Sequence, residues 1–183
     1  RDFAPTDAGF QPESALFCQA GRQPIPTLFS QHIYRRFSGP DRERNAAALL
    51  ESFRALPIQF LVESFRLNQF PVEVRRFWAE NYQPYRASVF VAGRRLAGAR
   101  DAEIDFEILV PGAYRWIPGR GGWIPGGGAH PVWVEGRTLA AGEVVELAAG
   151  RYLARLLEDV PDGMLVLAVD DPPGPAPLSF YEN

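Results

Sequence analysis

Apolar residues recur along this chain with two different periods, and the change from one to the other falls near residue 97. The first part alternates in type. Residues 15–19 form a short apolar run that predicts a buried strand. After Pro26, the positions Phe29, Ile33 and Phe37 follow helical spacing. Ser38-Gly39-Pro40-Asp41 interrupts the chain, and Asp41 is placed to cap a helix whose stripe is Ala46, Leu49, Leu50, Phe53 and Leu56. Pro57 ends that helix, and residues 58–63 predict a strand. Pro71 suits the first turn of a second helix over 72–81, with Val74, Phe77 and Trp78 as its core face. Residues 82–85 read as a connector and 87–92 as another strand. Strand, helix, strand, helix, strand predicts a small α/β (βαβαβ) layer.

Beyond residue 103 the texture turns to β throughout. Residues 104–110 alternate with period two and stop at Pro111-Gly112. Further short strands are expected at 132–136, 144–147, 152–156 and 164–169, separated by glycine turns. That spacing predicts an antiparallel β-sandwich. The expected fold is therefore α+β overall, with an α/β domain over 1–97 and a β-sandwich domain over 103–183. A Gly/Trp-rich loop at 111–130 is expected between the first and second strands of the sandwich.

That loop holds a doubled tetrapeptide, Trp116-Ile117-Pro118-Gly119 and Trp123-Ile124-Pro125-Gly126. With Tyr114 and Trp133 the two indoles make the candidate ligand-binding set. Aromatic rings offer apolar faces with polar tips, which suit sugar rings, lipid interfaces and protein partners alike. The competing reading folds the loop over the sandwich with its indoles in the core. If the set is exposed, replacing Trp116 and Trp123 with Ala weakens glycan binding and leaves thermal stability nearly unchanged.

All 19 basic residues are Arg, and the formal net charge is −3. The charge is divided: residues 1–100 carry +5 and residues 101–183 carry −8. Three basic pairs, Arg35-Arg36, Arg75-Arg76 and Arg94-Arg95, are candidates to face anionic lipid head groups. The overall pI of about 5.5 opposes a nucleic-acid partner. Asp101, Glu103, Asp105 and Glu107 alternate, which on a strand reads as a solvated acidic face, with calcium as the competing use.

Enzyme chemistry finds little support. Cys18 is alone in an apolar run and reads as a structural thiol; His32 and His130 are too few to build a zinc site with it. There is no Gly-x-Ser-x-Gly elbow, and Gly119–Gly128 lacks the Lys and Ser/Thr of a phosphate loop. No catalytic residue, metal or cofactor is assigned. No stretch approaches the ~20 apolar residues that would span a bilayer. The first residues do not resemble a signal peptide, and a start without Met fits a fragment.

Two stretches resemble known families. The run Leu49-Leu50 … Leu56-Pro57-Ile58-Gln59-Phe60-Leu61-Val62 … Phe70-Pro71 … Phe77 … Asn81-Tyr82 … Val89-Phe90-Val91 resembles the region after the last transmembrane helix of bacterial polytopic glycosyltransferases. These are the lipid-linked-sugar-dependent enzymes related to protein mannosyltransferases and aminoarabinose transferase. The resemblance covers roughly residues 15–96. It implies a soluble tail in which a helix leads to a Tyr, here Tyr82, and a strand ends in a short basic segment, here Arg94-Arg95. The stretch Val132-Trp133-Val134-Glu135-Gly136-Arg137 … Gly142 … Val145-Glu146-Leu147 … Gly150-Arg151-Tyr152 is similar to the β-meander of PEGA-type surface domains.

The first resemblance implies a non-catalytic periplasmic domain of a membrane glycosyltransferase-like protein, assisting the positioning of an acceptor or glycan. Its partners are then a glycan or lipid-linked sugar and, through the parent protein, the membrane surface. The family's catalytic acids lie in loops between transmembrane helices, none of which is present here. The alternative class is a stand-alone surface module that binds carbohydrate or another protein.

Overall fold

The computed structural model describes residues 9–10, 35–56, 58–62, 65–86, 89–119 and 130–168. Two helices stand out among them. Helix α1 (Arg42–Ala55) buries Ala46, Leu49 and Phe53, as its stripe predicts, and leaves Arg42, Glu43, Arg44, Glu51 and Arg54 exposed. Asp41 occupies the N-cap position without a side-chain capping bond, and its carboxylate instead lies 3.2 Å from Arg44. Helix α2 (Val72–Asn81) starts after Pro71 and buries Val74, Phe77 and Trp78. The two helices meet through rings: Phe53 contacts Phe77, Trp78 and Tyr82 edge-on, at centroid separations of 5.8–6.0 Å. Such tilted contacts add to the burial of large apolar surfaces.

The strands are β1 (Gly9–Phe10), β2 (Phe60–Val62), β3 (Tyr82–Arg86), β4 (Val89–Arg95), β5 (Glu103–Ile108), β6 (Gly112–Pro118), β7 (Val132–Val134), β8 (Arg137–Leu139), β9 (Val144–Leu147), β10 (Gly150–Leu156) and β11 (Gly163–Leu167). They form two mostly antiparallel sheets. The larger runs β1-β2-β4-β11-β6-β9, with β3 also on β4; the smaller runs β5-β10-β7-β8. The molecule is thus β-rich with few helices.

Two expectations about the strands change. The βαβαβ layer does not form as a parallel unit: β2 and β3 both pair antiparallel with β4, and the parallel pair is β1 with β2. Residues 82–85, expected as a connector, belong to β3, which tolerates Pro84 beside an irregularity in its register with β4. The boundary expected near residue 97 falls between β4 and β5, and β4 hydrogen-bonds to β11, the last of the described strands. One sheet therefore crosses the change in texture.

A single buried cluster also spans that boundary. It joins Leu49, Phe53 and Trp78 to Phe106, Tyr114, Trp116, Val134 and Leu156. On β11 the parity is clear: Leu165 and Leu167 enter this cluster, while Met164 and Val166 belong to a second one with Phe60, Tyr85, Val91 and Ile117. Alternate residues of a strand face opposite sides, so the larger sheet is apolar on both faces. This explains why β11 reads as an uninterrupted apolar run rather than an alternating one.

Candidate functional site

The four aromatic candidates do not converge on one exposed surface. Residues 112–118, expected within a loop, form the seven-residue strand β6, hydrogen-bonded to β11 on one side and β9 on the other. Tyr114 and Trp116 point inward from it and are 1 % and 0 % exposed. Their alternation with Ala113 and Arg115 is a period-two signal that the surrounding glycines and prolines obscured. The Trp116 indole N–H donates to the His130 backbone carbonyl at 2.8 Å, and the Tyr114 hydroxyl donates to the Val110 carbonyl at 2.7 Å. Both rings are fully engaged in the core and cannot meet a ligand. Trp123 and the second copy of the tetrapeptide lie outside the described residues, as do Cys18 and His32.

Trp133 is different. It is half-buried on β7, between Val132 and Val134, which are both 0 % exposed. The strand's two-residue period turns the valines into the core and the indole outward. Strand pairing then brings together residues that are far apart in sequence. Glu103 on β5 is opposite Arg155 on β10, Arg155 is opposite Trp133, and Trp133 is opposite Thr138 on β8. These four residues form one row across the outer face of the smaller sheet. The Arg155 guanidinium lies 5.9 Å from the centre of the Trp133 ring, within cation–π range. A second row pairs Glu107 with Arg151, and between the rows Asp105 is opposite Leu153.

The acidic candidates sit on this same face. Glu103, Asp105 and Glu107 are exposed on β5, while Asp101 lies in the preceding turn with left-handed backbone (φ 63°). Among the described residues, no three His, Cys, Asp or Glu side chains converge to hold a metal ion. His130 is half-buried with its Nδ1 3.4 Å from Glu158.

The basic pairs take separate roles. Arg35, Arg36, Arg76 and Arg95 are exposed and Arg75 is half-buried. Arg95 pairs with Asp162 at 2.9 Å. Arg94 turns onto the end of α2, where its Nη1 donates to the Glu80 carbonyl at 2.9 Å and to Asn81 Oδ1 at 2.8 Å. A cation is favoured there by the carbonyl-rich helix terminus. Burial pulls the Arg94 guanidinium below its usual range, and the nearby Glu80 and Glu107 carboxylates partly offset that. A small recess opens beside it, lined by residues including Asn81, Gly93, Glu107 and Tyr114, with room for about one water. Burial, followed by proximity to Tyr114, raises the Tyr82 phenol; burial, followed by proximity to Tyr152, raises that of Tyr114.

Sequence reasoning missed Arg155, Arg151 and Thr138. The alternation Arg151, Leu153, Arg155 is visible in the sequence, but its alignment with Trp133 and Glu103 depends on strand register. No protein family, curated protein or solved structure matches this chain. Among the described residues no helix is long and apolar enough to cross a membrane.

Proposed function

We propose that this chain is a non-catalytic binding domain on the extracytoplasmic face of a bacterial membrane, where it holds a glycan or lipid-linked acceptor for a glycosyltransferase-like parent. The observation that carries this reading is the Glu103–Arg155–Trp133–Thr138 row, an indole flanked by hydrogen-bonding groups on an open sheet face. An open face of this kind suits retention of an extended ligand and does not enclose a reacting centre. The reading of the parent draws on the resemblance of residues 15–96. It is supported by the order found in the fold: α2, then Tyr82, then β4 ending in Arg94-Arg95.

The test is retention without turnover. The purified chain, immobilised and challenged with a panel of bacterial envelope oligosaccharides, is expected to retain a subset while releasing no new reducing ends. Retention of none of them, or measurable cleavage or transfer, overturns the reading.

A further inference from the structure

The row on the smaller sheet also defines what kind of ligand it fits, and this deepens the glycan-holding reading on which it rests. We propose that Trp133 and Arg155 form a binding site for the sugar rings of a neutral glycan, with Glu103 and Thr138 at the two ends of the row.

A sugar ring presents an apolar C–H face surrounded by hydroxyls that both donate and accept. Its recognition needs an apolar platform beside donors and acceptors together. Trp133 supplies the platform, held in place because its own strand pairs on both sides, with β10 and with β8. Arg155 supplies donors and is kept near the indole at 5.9 Å. The Glu103 carboxylate accepts, and the Thr138 hydroxyl does either.

The charge pattern does not favour anions. Glu103 faces Arg155 and Glu107 faces Arg151, with the Arg94 guanidinium also near Glu107, while Asp105 faces only Leu153. Carboxylates and guanidiniums thus balance on this face, and a uronate or phosphate gains no favourable field there. A neutral polyhydroxylated ligand needs none. Extensive protein contact is disfavoured for a different reason. Beyond the indole, the outward residues of β5 and β10 offer one aliphatic side chain, Leu153, which is too little for the apolar core of a stable interface.

The experiment uses the whole chain, with maltohexaose, cellohexaose, mannohexaose and chitohexaose as neutral probes and hexagalacturonate as the anionic one, read by calorimetry. The variants are W133A and R155A at the site and V144S on β9 of the other sheet, each checked for its far-ultraviolet spectrum. At least one neutral probe is expected to bind, more tightly than hexagalacturonate. W133A should weaken it roughly tenfold, the equivalent of about 1.4 kcal/mol, R155A should weaken it too, and V144S should not. Neutral binding that W133A and R155A leave unchanged overturns the site but leaves the glycan-holding reading intact. Tighter binding of hexagalacturonate overturns the ligand class. Binding of no probe by the wild-type chain overturns the proposal, and the envelope-oligosaccharide panel then decides the broader reading separately. If W133A fails to fold, R155A, altered only at an exposed side chain, decides whether the site holds.

Discussion

The indole of Trp116 lies directly against Gly163, so closely that a methyl group at that glycine would overlap the ring. The same methyl would also sit 2.8 Å from the Leu96 carbonyl oxygen and 2.9 Å from Val160 Cγ1. Neither backbone oxygen nor a packed valine can give way cheaply. The two residues are near neighbours on β6 and β11, where Gly163 pairs with Pro118 and Trp116 with Leu165. A fully buried tryptophan is therefore accommodated by the smallest residue on the next strand.

This relationship reverses the stability expectation for the doubled tetrapeptide. Trp116→Ala should cost about 3–5 kcal/mol, as for other large-to-small changes at fully buried aromatics. Gly163→Ala, which only adds a methyl, should cost about 1–3 kcal/mol through overpacking. Urea unfolding of both variants checks this. A Trp116→Ala midpoint equal to wild type would mean that the ring is not core.

Tyr114 offers a pH test. Its hydroxyl is bonded to the Val110 carbonyl and burial raises its pKa, so the folded state holds the phenolic proton more tightly than the unfolded chain does. That contribution is fully present below pH about 10, the unfolded value, and is lost as pH climbs towards the higher folded value. Tyr82 behaves in the same way. Above pH 10 each such tyrosine steepens the loss of stability by about 1.4 kcal/mol per pH unit. Tyr114→Phe should lose about 1 kcal/mol at neutral pH yet show a shallower alkaline limb. Guanidinium melts at pH 7, 10 and 11 measure both effects. An unchanged limb would show that Tyr114 does not titrate with unfolding.

Several parts of this architecture were legible from residue order because they depend on local periodicity. The stripe of Ala46, Leu49 and Phe53 and the Pro71 start of α2 are examples. What was not legible depends on partners distant in sequence. Tyr82–Arg86 contains Pro84 and looked like a connector, but β4 supplies its hydrogen bonds. The crowd of glycines after Pro111 suggested a loop, yet Tyr114 and Trp116 form the inward face of a central strand. The candidate site divides in the same way. Trp133 could be singled out by residue type, whereas its neighbours Arg155 and Glu103 exist as neighbours only through register.

Arg94 joins the C-terminus of α2 to β4, and its removal should be felt at both. Replacing it with Met leaves the Glu80 carbonyl and the buried Asn81 oxygen without this donor. The cost should be about 1–2 kcal/mol, after allowing for the part of the guanidinium open to water. Arg94→Lys should recover only part, because a compact, strongly hydrated ammonium costs more to hold in this partly buried place than the weakly hydrated guanidinium. A double-mutant cycle with Asn81→Ala should return a coupling of at least about 0.5 kcal/mol. Strict additivity of the two changes would remove Arg94 from that role.

The turn between β7 and β8 gives a prediction of opposite sign at adjacent residues. Glu135 and Gly136 both have positive φ, 50° and 76°, the backbone of a two-residue hairpin turn whose twist matches its strands. Glycine adopts that conformation freely, but glutamate carries a Cβ that disfavours it. Space is not the constraint at Gly136, since nothing lies within 4 Å of a Cβ placed there. Gly136→Ala should therefore cost about 1 kcal/mol through backbone strain alone, lowering Tm by roughly 2–4 °C. Glu135→Asn should do the reverse, raising stability by about 0.5 kcal/mol, because Asn tolerates the left-handed region. Both variants should keep the chain's overall tryptophan emission maximum unchanged while their melting temperatures move apart. Shifts of the same sign for the two variants would show that the turn does not hold this geometry in solution.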